Sequence, residues 1–184
     1  RDVSEEYNGT SWTEGNNLPS GKESATAFGT QTAAVSAGGS GALTTTENYD
    51  GTNWTASGAL TNGRRYLASA GTQTAGLGFG GYKSPSPAGL SATEEYDGSS
   101  WTSGGALSPT TWASAGTGTQ TAALKAGGAG GSPGPTAVVN TQEYDGSSWT
   151  AGGDMISANK SNQGAGTQTA ALTFGGNTTG TQTL

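Results

Sequence analysis

Neither cysteine nor histidine occurs anywhere in the 184-residue chain. Without thiols there are no disulfides and no thiolate nucleophile. Without imidazole the commonest general base and the commonest metal ligand are both missing. Charge is scarce as well. Only 11% of residues are charged, and seven Lys and Arg face thirteen Asp and Glu, for a net charge of -6. A general nucleic-acid binder needs a basic surface, so that class is excluded. No apolar run approaches the roughly eighteen residues of a membrane-spanning helix, and membrane insertion is not expected. Good helix formers are thin among the Gly, Thr, Ser and Ala, which argues against an α-rich protein. What the chain does have is 34 glycines, five Trp and six Tyr. That many aromatic residues with so little charge is not the composition of charge-rich disorder.

Self-similarity organises the rest. Tyr7-Asn8-Gly9-Thr10-Ser11-Trp12-Thr13 recurs as Tyr49 to Thr55, Tyr96 to Thr102 and Tyr144 to Thr150. A second segment, Gly-Thr-Gln-Thr-Ala, recurs around Gln31, Gln73, Gln120 and Gln168, and each copy leads to a Gly-Gly pair ending at Gly39, Gly81, Gly128 and Gly176. Trp and the following Gln are 19 residues apart in every copy, whereas Gln and the next Tyr are 18, 23 and 24 apart. All length variation therefore falls between the Gly-Gly pair and the next Tyr. Counting from Gln168 past Leu184 to Tyr7 gives 23, so the chain holds a whole number of periods. A closed ring is expected on that ground, although a slice of a longer array has the same arithmetic.

Each period reads as four strands, a to d. Tyr-Asp-Gly-x-x-Trp is a hairpin turn, because Gly supplies positive φ and Asp or Asn before it tolerates the left-handed region. Tyr and Trp then share one face as a cross-strand aromatic pair. Strand c precedes each Tyr, over Leu43 to Tyr49, Leu90 to Tyr96 and Val138 to Tyr144, and the Trp begins strand d. Strands a and b flank each Gln, for example Ala68 to Thr72 and Ala75 to Phe79. The expected fold is all-β: a four-bladed β-propeller in one domain, residues 1–184, with four antiparallel strands per blade and units beginning near Tyr7, Tyr49, Tyr96 and Tyr144. Closure is expected by pairing the N-terminal c-d hairpin, Val3 to Thr13, with the C-terminal a-b hairpin, Ala165 to Gly176, which hides an open sheet edge.

These motifs resemble kelch repeats, with a Gly-Gly pair ending strand b, Tyr-Asp ending strand c, and Trp six residues before an apolar anchor, here Leu18, Leu60, Leu107 and Met155. The wording Glu-Tyr-Asp-Gly-Ser-Ser-Trp-Thr with Gly-Thr-Gln-Thr-Ala resembles kelch-like arrays of bacteriophage tail and particle-surface proteins. That likeness implies a location on the virion surface or outside the cell. It implies as partners a host-surface glycan or protein, or other virion proteins. Kelch-type oxidases need metal ligands and a cross-linked Cys, and this chain has neither Cys nor His. Asp-Gly-x-x-Trp is one residue off the Asp-box turn of sialidases. Their three clustered Arg are not matched by Arg1, Arg64 and Arg65. Each Asp-Gly turn offers one carboxylate where Ca²⁺ takes six to eight oxygens. No catalytic residue, metal site or cofactor is expected.

The antiparallel order a-b-c-d puts the a-b and c-d turns on one face and the b-c and d-a loops on the other. The second face carries all the variation, and function on rigid scaffolds concentrates in such loops. Nine acids lie in the c-d hairpin units, whereas Lys22, Arg64, Arg65, Lys83 and Lys160 lie in variable-face loops. Trp112 stands where the other units have Glu23, Arg65 and Lys160, and Tyr66 and Tyr82 are also off-pattern. The candidate binding residues are Arg64, Arg65, Tyr66, Tyr82, Lys83, Trp112, Asn159 and Lys160. Exposed rings beside Arg suit a sugar or a protein hot spot. The plainer reading has Trp112 cover the top of its blade. Two functions stay open: an adhesin or lectin-like module, and a structural decoration or tail protein without a small ligand.

Overall fold

The computed structural model describes residues 1–83, 89–130 and 136–178. Every element in it is a strand. Three antiparallel four-stranded sheets follow one another. The first is β3 (Thr26–Thr30), β4 (Ala33–Ala37), β5 (Thr46–Tyr49) and β6 (Trp54–Ser57). The second is β7 (Ala68–Thr72), β8 (Ala75–Phe79), β9 (Thr93–Tyr96) and β10 (Trp101–Ser103). The third is β11 (Ala115–Thr119), β12 (Ala122–Ala126), β15 (Thr141–Tyr144) and β16 (Trp149–Ala151). A small ribbon, β13 (Ala129–Gly130) with β14 (Thr136–Ala137), sits in the b-c connection of this third unit. Two-stranded half sheets stand at the ends: β1 (Glu5–Tyr7) with β2 (Trp12–Glu14), and β17 (Gln163–Gly166) with β18 (Ala171–Phe174).

Strands a and b of the second unit run over the expected residues. The c strands start three residues later than expected, at Thr46, Thr93 and Thr141. The residues before them are taken by loop pairing: Arg64 N–H donates to Leu43 O, and Leu90 and Val138 bridge to Thr111 and Asn159. Tyr and Trp lie directly opposite each other in all four c-d hairpins, with ring centroids 4.8–5.2 Å apart. The turn between them has four residues, and its Asp closes it. Asp145 Oδ1 accepts from the N–H groups of Ser147 and Ser148, and Asp50 and Asp97 repeat the pattern. Those backbone donors, Ser148 first, hold the Asp145 carboxyl down to about 2.

The core lies between sheets. One cluster joins Val35, Ala37, Leu60, Leu67, Tyr96 and Trp101, and the other joins Leu77, Phe79, Leu107, Ala123 and Tyr144. Small residues are required where a large ring crosses from one sheet to the next. A Cβ on Gly76 would stand 2.1 Å from the Phe28 ring, which packs edge-on against Trp101.

The join between the terminal hairpins differs from expectation. β1–β2 and β17–β18 are separate sheets, with no ladder between them among the described residues. Tyr7, Trp12, Leu172 and Phe174 are accordingly exposed, where their equivalents Tyr96, Trp101, Leu77 and Phe79 are buried. The physical difference is chain connection. Every other b-c pair is joined by a loop, whereas this pair must bring together residues from opposite ends of the chain, at a larger entropic cost.

Candidate functional site

Three interfaces between successive units repeat the same Gln contacts, and the two between four-stranded sheets add a Trp hydrogen bond. The Gln of each a-b turn reaches back to two carbonyls of the preceding sheet. Gln73 donates to Ala34 O and Tyr49 O, Gln120 to Gly76 O and Tyr96 O, and Gln168 to Ala123 O and Tyr144 O. Trp101 Nε1 donates to Thr46 Oγ1, and Trp149 Nε1 to Thr93 Oγ1, each 2.9 Å. Tyr144 Oη donates to Glu95 Oε1 at 2.6 Å, and burial together with that bond pushes its phenol up to about 12. These Gln side chains are interface clamps, so the repeated face does not offer four free amides to a ligand.

On the opposite face the d-a loops feed the four inner strands around one cavity of about 570 Å³. Segments 24–27, 66–69, 113–116 and 161–164 line it, one from each unit. At its mouth four equivalent residues, none of them Gly, adopt the left-handed conformation: Ser24, Tyr66, Ala113 and Ser161, with φ of 53–57°. Each such residue costs on the order of 1 kcal/mol. A backbone relay holds them. Tyr66 N–H donates to Ser24 O, Ala113 N–H to Tyr66 O, and Ser161 N–H to Ala113 O.

Beside this mouth four of the candidate residues come together. Arg65 and Tyr82 exchange two backbone hydrogen bonds, 3.0 and 2.8 Å, which set the b-c and d-a loops of one unit side by side. The Arg65 guanidinium lies 5.1 Å from the ring centroids of both Tyr66 and Tyr82. Trp112, held by its own bridge to Ala129, brings its ring 5.5 Å from Tyr66 and 5.7 Å from Tyr82. Tyr66 is 39% exposed, and Trp112 is half-buried. Lys83 follows the cluster and is exposed.

The other candidates lie elsewhere. Arg64 is fully buried and turns inward, donating to Glu94 Oε2 at 2.8 Å and to Ala92 O and Gly78 O. It fixes its own unit and cannot meet a ligand, which corrects its place among the binding residues. Lys22, at the equivalent position, pairs in the same way with Glu47. The acids of strand c are therefore not all solvated turn residues. Asn159 and Lys160 belong to the next loop. Asn159 donates to Gly175 O at 2.6 Å, and Lys160, 6% exposed, pairs its backbone with Asn177.

In the third unit Thr111 stands where Lys22 and Arg64 stand, and strand b supplies the interior cation instead. Lys125 is fully buried and donates to Asn140 O and Oδ1, and burial pushes its ammonium down to about 8. The Gly-Thr-Gln-Thr-Ala repeat could have revealed the clamps, since an invariant amide in a turn has no local duty there. Nothing in the residue types Ser, Tyr, Ala and Ser signals the left-handed ring.

Among the solved structures that match, YjhT shares this fold, with a TM-score of 0.81 at 14% sequence identity over 97% of this chain and 69% of that one. No known family and no curated protein matches the sequence.

Proposed function

We propose that this chain is a non-catalytic binding scaffold of the propeller kind. It attaches through its b-c and d-a face to a host-surface glycan or protein, from the surface of a virus particle. The virion location rests on the resemblance of the repeat wording to phage surface arrays. The observation that carries the binding face is the cluster of Arg65, Tyr66, Tyr82 and Trp112 beside the axial cavity. There the loops of one unit gather aromatic rings that its equivalents lack, and rings stacked with a guanidinium are the usual anchors of sugar and protein contacts. The repeated face supports the same reading from the other side, because its Gln amides are consumed by the clamps.

We further infer that the four units form a closed four-bladed ring. Support comes from the half-made fourth interface. Tyr49 Oη bonds Glu6, and Gln31 reaches Tyr7 O, so β1–β2 already stacks outside the first full sheet. The second carbonyl that every other clamp Gln holds is missing for Gln31. By the register of the three existing b-c ladders, that carbonyl belongs to Ala171.

The test of function is a glycan array and whole-cell binding panel probed with the labelled chain. Arg65→Ala with Trp112→Ala is expected to lower attachment at least 10-fold. Asp97→Ala with Asp145→Ala, on the opposite face, is expected to leave it within about 2-fold. Loss of attachment in the Asp pair alone contradicts the reading. No attachment by the unaltered chain favours the particle-decoration alternative.

A further inference from the structure

Asn followed by Gly occurs twice in the chain, at Asn8-Gly9 and Asn62-Gly63. In such a pair the backbone nitrogen of Gly can attack the side-chain carbonyl carbon of Asn, because no side chain on the Gly shields that nitrogen. The fold treats the two pairs differently. Asn8 and Gly9 are both exposed, in the c-d turn of the two-stranded β1–β2 ribbon. A Cβ built on Gly9 would meet nothing within 4 Å, so the backbone there is open to solvent. Gly63 is buried. The same Cβ would stand 1.9 Å from Ala42 O, and Arg64, the next residue, is fully buried. Ring closure at Asn62 has to move packed backbone.

The turn also activates the carbon to be attacked. Asn8 Oδ1 accepts from the N–H groups of Thr10 and Ser11, each at 3.0 Å. Two backbone donors aimed at a carbonyl oxygen polarise its carbon and stabilise the oxyanion that forms on attack. Asn8 N–H donates to Ser11 O, whereas Gly9 N–H has no hydrogen-bond partner among the described residues to give up. The other three c-d turns place Asp50, Asp97 and Asp145 on the same pair of donors. Those donors hold the three carboxyls below the usual carboxylate range, and an ionised carboxylate is a poor electrophile.

We propose that Asn8-Gly9 is a self-modification site, at which the folded chain deamidates and converts its one asparagine c-d turn into the carboxylate turn of the other units. Gly9 N gives up its proton to hydroxide and bonds to Asn8 Cγ. The Cγ–Nδ2 bond breaks and Nδ2 leaves as ammonia, so the intermediate is a five-membered succinimide. Water then adds to one of its two carbonyls. Addition at Cγ breaks the bond to Gly9 N and restores the ordinary backbone, with an aspartate side chain. Addition at the backbone carbonyl carbon of Asn8 leaves the chain running through the side chain, as isoaspartate. The Thr10 and Ser11 donors sit at the Cγ oxygen and favour the first route. The product adds one negative charge to the net -6, one residue from the Tyr7 carbonyl that Gln31 holds. The site is on the a-b and c-d face, and it is independent of what the rim cluster of Arg65 and Trp112 binds.

The experiment ages the purified full chain at neutral and mildly alkaline pH, folded and in urea. Both Asn-Gly pairs are followed by peptide mass analysis, with electron-transfer fragmentation to tell aspartate from isoaspartate. Asn8→Asp supplies the authentic aspartate peptide as a standard. In the folded chain Asn8 is expected to convert about 10-fold faster than Asn62, at a rate that rises with hydroxide, and mainly to aspartate. In urea the two pairs should convert within about 2-fold of each other, with Asn8 no faster than when folded, and mainly to isoaspartate. Equal rates at Asn8 and Asn62 in the folded chain overturn the proposal. So does an Asn8 that converts more slowly folded than in urea, or isoaspartate as its main folded product.

Discussion

Gln120 shows how much a single turn residue carries in this molecule. Its side-chain amide closes two carbonyls of the neighbouring sheet, Gly76 O and Tyr96 O, each at 2.9 Å. Gln120→Ala should leave both without that donor, at a cost of about 1–3 kcal/mol. Gln31→Ala, which loses a single bond of 3.2 Å to Tyr7 O, should cost less than half as much while the ring is open, and a like amount once Ala171 O completes its clamp. Urea melts of the two variants check this, and a Gln120→Ala variant as stable as the unaltered chain contradicts the clamp. Lys125 makes a second residue-scale prediction. The unfolded chain keeps this ammonium protonated to its ordinary value near 10.5, whereas the folded chain releases the proton at about 8. Between those values the unfolded state binds more protons, so stability rises with pH from about 8. Tyr144 has the opposite sign. The folded state holds its phenolic proton to about 12, against 10.0 when unfolded, so stability falls above pH 10. Stability should peak near pH 10, and Lys125→Met should flatten the rise between pH 8 and 10. A stability that declines steadily over that interval in the unaltered chain contradicts the assignment.

At the scale of the element, the hairpins were legible because their chemistry is local. Asp-Gly between Tyr and Trp specifies a turn whatever surrounds it, and the aromatic pairs follow from period two. The burial of those pairs was not legible, because it depends on whether a neighbouring sheet covers them. Four equal Trp in the sequence become unequal in the fold. Trp101 is 6% exposed and Trp12 is 66% exposed. Trp101→Ala should therefore cost about 3–5 kcal/mol by thermal or urea denaturation, whereas Trp12→Ala should cost under about 1 kcal/mol with β1–β2 uncovered and a like amount to Trp101→Ala once the ring closes. The same reasoning explains the binding residues. Tyr66, Tyr82 and Trp112 stood out as departures from the repeat, and the loops do bring them together with Arg65. Arg64 looked like its neighbour Arg65 in sequence. One residue of difference in register points it at Glu94 instead, and only the fold reveals that. If Trp12→Ala proves as costly as Trp101→Ala, β1–β2 is covered in solution by something this structure leaves off it.

For the molecule as a whole, three interfaces that share one Gln clamp and a fourth that is half made argue for a ring. The axial relay runs Ser24, Tyr66, Ala113, Ser161, and its continuation from Ser161 O back to Ser24 N–H is the bond that closure would add. The ladders of the other units set the register of the missing one: Ala171 opposite Tyr7, Leu172 opposite Glu6, and Thr173 opposite Glu5. Paired strands of this kind bring facing Cα atoms to about 4.5–5.5 Å, inside the span a disulfide can bridge. The chain has no cysteine of its own, so a double substitution, Thr173→Cys with Glu5→Cys, reports on this one contact. Mild oxidation of the purified variant, followed by non-reducing electrophoresis and peptide mass analysis, should give a monomeric chain carrying one internal disulfide and a raised melting temperature. Free thiols after oxidation, or disulfides found only between chains, would contradict closure within the molecule.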